Sequence, residues 1–413
     1  MTKKDNNKVE PFTNPFKPGA GHMPPHLAGR QKDKEEFNKL LDQNVILENL
    51  ILTGLRGVGK TVLLETFKPM AIQGDWLWVG TDLSESVSVS EETLAIRLLT
   101  DLSVVTSGIT QTINTQKEAG FKGSQTQIVW NYAKLVEIYG ETPGLVSDKL
   151  KFVLESVWGI VAQLNKKGII FAYDEAQNLA DNAEKDQYPL SLLLDVFQSL
   201  QRKEIKFMLA LTGLPTLLPK LVEARTYSER MFRVVFLDRL DEAETREAIT
   251  IPITRNNCPI HFDITSIDTI CEISGGYPYF IQFICKEIYD KWIQQSVVAG
   301  ELTGVPVDEI TRKLDADFFA GRWARVTDRQ RDLLRVIAQM DNSSGEFTVQ
   351  EIVTESKATE KPFTNSRVSA ILNSLMDAGL VYRNRHGKYR FAVPMFSQFI
   401  LRHFDDNHSH GLW

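Results

Sequence analysis

The chain has 413 residues, of which 43% are apolar and 24% charged, with a formal net charge of −6. That length exceeds one ordinary hydrophobic core and predicts two or three domains, with the composition of a soluble globular protein. No run approaches the roughly 18 apolar residues of a membrane span. A net negative charge excludes a wholly basic nucleic-acid coat and leaves room for one local basic patch. Cys258, Cys271 and Cys285 form no CxxC pair, which fits a reduced cytoplasmic setting and argues against a metal–thiolate site.

Residues 1–25 are frequent in Pro and Gly and have no apolar h-region, so they read as an extended arm and not a secretory signal. A short loop and a helix follow over 27–41. The run NLILTG, 49–54, is a buried strand stopped by glycine. A second strand covers 76–80, and a helix starts at Ser90 and reaches about Val105. Residues 106–146 are rich in Ser, Thr, Gln and Gly, with a weak helical patch near 129–138, and read as an insertion. VSDKLKFVLESVWGIVAQLN is a long amphipathic helix. Strands follow in GIIFAYDEAQNL, IKFMLALTGLP and FRVVFL, with the helix LSLLLDVFQSLQRK after the first of them. Strands alternating with helices predict a parallel α/β sheet.

Beyond Leu240 the strands stop, and helical patterns over 241–251, 264–273, 279–295 and 307–320 predict a small all-helical domain. A different composition begins at Thr327. A Thr-x-x-Gln capping box opens one helix, TVQEIVTES is a second, and Thr364 caps a third with Val368, Ile371, Leu372 and Leu375 on one face. LVYRNRHGKYRFAV is a hairpin around His386-Gly387. Three helices and a hairpin are the layout of a winged helix-turn-helix. The predicted division is an arm at 1–25, an α/β core at 26–240, a helical lid at 241–320 and a winged helix at 321–413.

Gly54-Leu55-Arg56-Gly57-Val58-Gly59-Lys60-Thr61 satisfies G-x-x-x-x-G-K-[ST] between a strand and a helix. Glycines let backbone N–H groups turn inward around phosphates, Lys60 places a cation on them, the Thr61 hydroxyl is a Mg²⁺ ligand, and the helix that continues through Val62 points its positive end at the anion. The expected ligands are ATP and Mg²⁺. The strand ending in Asp174 supplies the metal-holding acid, and Glu175 is the candidate general base. Thr212 ends the next strand, where it would sense the γ-phosphate or orient the water. Arg225, Arg230 and Arg233 are either a surface cluster or the source of an arginine finger acting on a neighbouring subunit of a homo-oligomer, with Arg230 favoured.

In order, HLAGR, GLRGVGKT, IIFAYDEAQ, ALTGLP and YSERMFRVVFL, followed by a helical lid and a winged helix, resemble the AAA+ ATPases of the origin-recognition type and their archaeal-type and STAND relatives. The resemblance covers roughly residues 26–404 without the insertion. It implies a P-loop core with helices on both faces of the sheet, a helical lid and a C-terminal effector domain. It further implies that Gly29 and Arg30, in LAGR, lie near adenine and ribose. SGGYPYF, at 274–280, has Tyr277-Pro278 where many AAA+ proteins carry a second sensor arginine. It is similar to a lid motif whose proline packs on the base, which makes Pro278 an adenine contact and Gly275 and Gly276 the means of close approach. Loss of the arginine argues against a processive motor and for a nucleotide-controlled switch.

Residues 322–413 hold 13 Lys and Arg against 10 Asp and Glu, in contrast to the acidic chain as a whole. The hairpin cations Arg383, Arg385, Lys388 and Arg390, interleaved with Tyr382 and Tyr389, suit phosphate contacts. Arg367, early on the third helix, suits a base edge of duplex DNA. Winged helices also dock proteins. Two readings therefore stand: an ATPase coupled to DNA, and a nucleotide switch read by a protein partner, as in signalling or anti-phage defence. A small-molecule kinase is disfavoured because no acceptor site stands out.

Overall fold

The structure, a computed structural model, describes residues 13–115, 124–256, 258, 261–298, 304–343 and 345–409. Its internal contacts divide the chain into two units. One comprises 31–54 and 60–237, and the other the residues through Arg30, 55–59 and 238 onward. Each has its own hydrophobic cluster.

The first unit runs α1 (Gln31–Leu41), β1 (Asn49–Gly54), α2 (Lys60–Gln73), β2 (Trp76–Val79), α3 (Glu91–Thr106), β3 (Thr110–Thr115), β4 (Ser124–Val129), α4 (Tyr132–Glu141), α5 (Val146–Val161), β5 (Gly168–Tyr173), α6 (Pro189–Arg202), β6 (Phe207–Gly213), α7 (Leu217–Ala224), α8 (Ser228–Met231) and β7 (Phe232–Leu237). Five strands form a parallel sheet in the order β2-β5-β6-β1-β7, as the alternation of strands and helices predicts. β1, β5 and β6 are buried at every residue, which is why they read as continuous apolar runs. The edge strand β7 alternates more and leaves Val234 and Phe236 exposed. Phe171 of β5 meets Phe197 of α6 edge-on at 5.0 Å and Phe207 of β6 at 5.5 Å. These contacts fix β5, whose end carries the acids, against its neighbours.

The 106–146 stretch contains more than a helical patch. β3 and β4 form an antiparallel hairpin in register Thr110↔Val129, and α4 starts three residues later than the patch, capped by Asn131. Polar strands rich in Thr and Gln carry no apolar alternation, so only their β-branched content marked them.

The second unit contains α9 (Glu242–Arg255), α10 (Ile264–Ser274), α11 (Pro278–Val298), α12 (Val307–Leu314), α13 (Ala320–Trp323), α14 (Asp328–Gln339), α15 (Val349–Ser356), α16 (Asn365–Asp377), β8 (Val381–Arg385), β9 (Lys388–Phe391) and α17 (Phe396–Ser409). The single helix expected over 307–320 is instead interrupted by a π-helical turn, Asp315–Phe319. After α14–α16, β8 and β9 pair as a hairpin, and Phe347 exchanges both backbone hydrogen bonds with Tyr389 at 2.9 and 2.8 Å. The arm falls partly outside the described residues, at 1–12. Its later part has no regular structure but is pinned to α11. Phe16 is buried against Phe262 and Tyr289, and the Asn14 amide donates to the Lys286 carbonyl at 3.0 Å and to Asp290 at 2.7 Å.

Gly80, with φ +130°, follows β2, and a Cβ there would run into the Ala172 carbonyl of β5. Gly80→Ala should therefore lower stability by about 1–3 kcal/mol through overpacking and a strained backbone. A urea titration checks this, and an unchanged midpoint contradicts the packing described.

Candidate nucleotide site

β1 delivers the start of the phosphate loop and α2 begins at Lys60, as glycine before a helix start requires. Lys60 is largely buried and its Nζ donates to the Gly54 carbonyl at 2.9 Å. Asp174, at the end of β5, is only 5% exposed. The Thr61 hydroxyl donates to its Oδ2, and the Thr212 hydroxyl donates to its Oδ1. The Glu175 N–H adds a bond to Oδ1 at 2.8 Å. Three sequence-selected groups thus converge because β6 lies beside β5, with Tyr173 opposite Leu211.

Glu175 is exposed and adopts a left-handed backbone, φ +51°, unusual for a residue with a Cβ. Its carboxylate accepts from the Gln177 amide. Asp82, three residues past β2, makes a parallel bridge with Asp174. Burial, followed by the nearby charges of Asp174 and Glu175, pushes the Asp82 carboxyl up from its ordinary range. Neither Gln177 nor Asp82 was selected from the sequence. The signal for Asp82 was an acid just beyond a strand end, and for Gln177 only its place in DEAQ.

The glycine turn 55–59 belongs to the other unit. Gly57 and Gly59 have φ of +80° and +92°. A Cβ on Gly57 would sit 3.2 Å from the Cβ of Tyr279, and the Tyr279 N–H donates to the Gly57 carbonyl at 3.1 Å. At Gly59 nothing lies within 4 Å of where a Cβ would stand, so the loop keeps one open face. The loop backbone taken by itself suits a phosphate. The hard oxygen donors Thr61 and Asp174, taken by themselves, suit Mg²⁺. Among the described residues no cluster of three His, Cys, Asp or Glu forms an all-protein metal site.

Arg30 is almost fully buried and donates to the carbonyls of Val58, at 2.9 Å, and Asp238, at 3.0 Å. Its guanidinium therefore braces the loop. Gly29, with φ +67°, packs where a Cβ would meet the Glu244 carboxylate at 2.5 Å. Pro278 is the first residue of α11. Gly275 caps α10 with φ +56°, and Gly276, with φ +76°, lies so close to Leu240 that a Cβ would stand 2.5 Å from its carbonyl oxygen. The close approach at Gly276 is thus to backbone.

Of Arg225, Arg230 and Arg233, Arg225 is committed to Asp195 at 2.6 Å and Arg233, within β7, to Glu48 at 3.2 Å. Arg230 is exposed at the end of α8, and its side chain makes no hydrogen bond or ion pair among the described residues. In the C-terminal hairpin, Arg385 pairs with Glu346 at 2.6 Å, and Lys388 lies 4.0 Å from Glu351. The Arg385 contact, followed by that of Asn384, holds the Glu346 carboxyl below its usual range. Arg383 is exposed, 5.7 Å over the Tyr389 ring, and Arg367 is exposed on the first turn of α16. Arg390 is partly buried. Tyr382 and Tyr389 are both buried, so they are core and not a stacking surface for bases.

A solved Walker-type ATPase of Pyrococcus abyssi is 16% identical, over 91% of this chain and 96% of that one, with a TM-score of 0.57. The chain has the fold of a Walker-type ATPase. The ADP form of the Aeropyrum pernix ORC2 protein superposes similarly, at 13% identity over 97% of this chain and 100% of that one, with a TM-score of 0.52. The five-stranded parallel sheet flanked by helices thus matches a P-loop NTPase core. A family model described as a domain of unknown function, DUF8462, matches residues 316–400 of this ATPase-fold chain. No match is found among curated proteins. Among the described residues no helix is long and apolar enough to cross a membrane.

Removing the Arg30 guanidinium leaves the Val58 and Asp238 carbonyls without this donor. Arg30→Ala should cost about 1–3 kcal/mol of stability, seen as a lower midpoint in thermal melting. An unchanged melt would show that the loop is not braced by this side chain.

Proposed function

We propose that this chain binds ATP with Mg²⁺, hydrolyses it slowly or on stimulation by a partner, and passes the nucleotide state to duplex DNA through a C-terminal winged helix. The observation that carries the ATPase reading is the convergence of Thr61 and Thr212 hydroxyls on Asp174, with Glu175 next in the chain. Gly54, Arg56, Gly57, Val58, Gly59, Lys60, Thr61 and Val62 would surround the phosphates, and Thr61 and Asp174 would hold the metal ion. When bound, Mg²⁺ neutralises charge on the phosphate oxygens. Lys60 adds a cation there, Thr212 holds Asp174 and faces the same end of the sheet, and Glu175 takes the proton of the attacking water. Gly29 and Arg30 serve by shaping the loop, and Pro278 would flank the base. Arg230, the uncommitted arginine of its cluster, would complete the site of a neighbouring subunit. The free thiols of Cys258, Cys271 and Cys285 suit a cytoplasmic setting.

Lys60→Ala should lose measurable binding of a fluorescent ATP analogue. Glu175→Gln should bind it normally and lose phosphate release, and unchanged turnover would remove Glu175 from the role of base.

Coupling to the C-terminal segment is supported by the phosphate loop itself. Arg56 reaches the turn between α16 and β8, where its Nη2 lies 3.2 Å from the position of a Cβ on Gly379. The same turn joins the proposed recognition helix to the proposed wing, so a change in loop shape on binding phosphate bears directly on both. Arg367 and Arg383 are the cations best placed for DNA, while Arg385, Lys388 and Arg390 contribute less because they are paired or partly buried. Replacing Arg367 and Arg383 together with Ala should reduce the slope of log affinity against log salt by about two, measured by anisotropy of a labelled duplex with ATP and with ADP. No duplex affinity even at low salt would sink this reading. It would favour the alternative, a nucleotide switch read by a protein, which the ion pairs of Arg385 and Lys388 with Glu346 and Glu351 support because they make the hairpin surface less uniformly basic.

A further inference from the structure

Gln177 follows the acidic pair in the 3₁₀ turn Ala176–Asn178, is only 8% exposed, and is required by none of the roles assigned above. Its side-chain amide is used at both ends. Oε1 accepts the N–H of Leu214 at 3.0 Å, and Nε2 donates to the Glu175 carboxylate. The amide orientation is dictated by its partners, since an N–H needs an acceptor and a carboxylate needs a donor. The backbone carbonyl of Gln177 is in turn held by Lys220 Nζ at 2.8 Å. Gly213 makes room for the arrangement, because a Cβ there would stand 2.7 Å from Gln177 Oε1.

Leu214 is two residues beyond Thr212, whose hydroxyl is on Asp174. One buried amide therefore ties the carboxylate of Glu175 to the turn that carries Thr212. Glu175 needs such a tie: it is exposed, on a left-handed residue, and otherwise free to turn toward solvent. Met or Leu would fill the same space with neither bond. Glu would keep the acceptor for Leu214 but set a second carboxylate against the first.

We propose that Gln177 is a positioning residue for hydrolysis, holding the Glu175 carboxylate in line with Thr212 through the Leu214 N–H. This rests on the reading of Glu175 as the base. Once the metal ion and phosphates are held by Thr61, Asp174 and Lys60, the direction of the Glu175 carboxylate decides whether a water is activated. Gln177 acts on that step and not on nucleotide affinity.

The test compares Gln177→Glu and the neutral, similarly sized Gln177→Met with the full-length protein. Steady-state ATP turnover and binding of a fluorescent ATP analogue are measured side by side. The expected result is a fall in kcat of roughly tenfold or more in both variants, with nucleotide affinity within about twofold of the parent, and no additional loss when either is combined with Glu175→Gln. Equal losses of affinity and kcat would make Gln177 a structural residue and overturn the proposal, as would a rise in kcat. Turnover unchanged in Gln177→Glu but lost in Glu175→Gln overturns this inference alone. Turnover unchanged in Glu175→Gln overturns the assignment of the base, and this inference with it.

Discussion

A buried carboxylate governs the centre of the sheet. Placing Asp174 at 5% exposure costs several kcal/mol of desolvation unless its oxygens are hydrogen-bonded. Two threonine hydroxyls and one backbone N–H supply that, and they come from three different places: the first turn of α2, the end of β6 and Glu175, two residues past β5. The demand of one charge thereby sets the relative depth of these elements. It also makes the carboxylate a junction, since any group that competed for Thr61 or Asp174 would alter the partners of Thr212.

Loop residues 55–59 are held by a different set of bonds. Arg30 grips the Val58 carbonyl, the Tyr279 N–H grips that of Gly57, and Arg56 lies against Gly379. Positive φ at Gly57 and Gly59 lets the backbone take this shape without steric cost. Three chain segments distant in sequence thus meet on five loop residues.

Charge counted along a chain and charge displayed on a surface differ here. The C-terminal segment is the basic part of an acidic protein, but Arg385 and Lys388 face Glu346 and Glu351, residues from outside the hairpin. The two hairpin tyrosines, which alternate with cations in the sequence, have their rings in the core. Of the five cations that pointed to DNA, Arg367 and Arg383 keep an exposed surface free of an ion pair among the described residues.

By itself the sequence determined the phosphate loop, the strand that ends in two acids, the parallel sheet and the order of its helices. These depend on contiguous patterns: a glycine spacing that only a tight turn needs, apolar runs that only a doubly covered strand tolerates, and caps that act within one turn. The polar hairpin β3–β4 escaped because its pairing, not its composition, makes it a strand pair. The break after α12 was hidden by an uninterrupted helical pattern. Tertiary structure alone decided that Thr212 shares a carboxylate with Thr61, that Arg30 braces the loop, that Arg230 is the uncommitted arginine of its group, and that Gln177 holds Glu175. Each of these is a contact between residues far apart in the chain or turned by one backbone angle. Local propensity does not encode which side chain will satisfy a buried polar group, because that choice belongs to whichever neighbour the packed sheet brings within hydrogen-bonding reach.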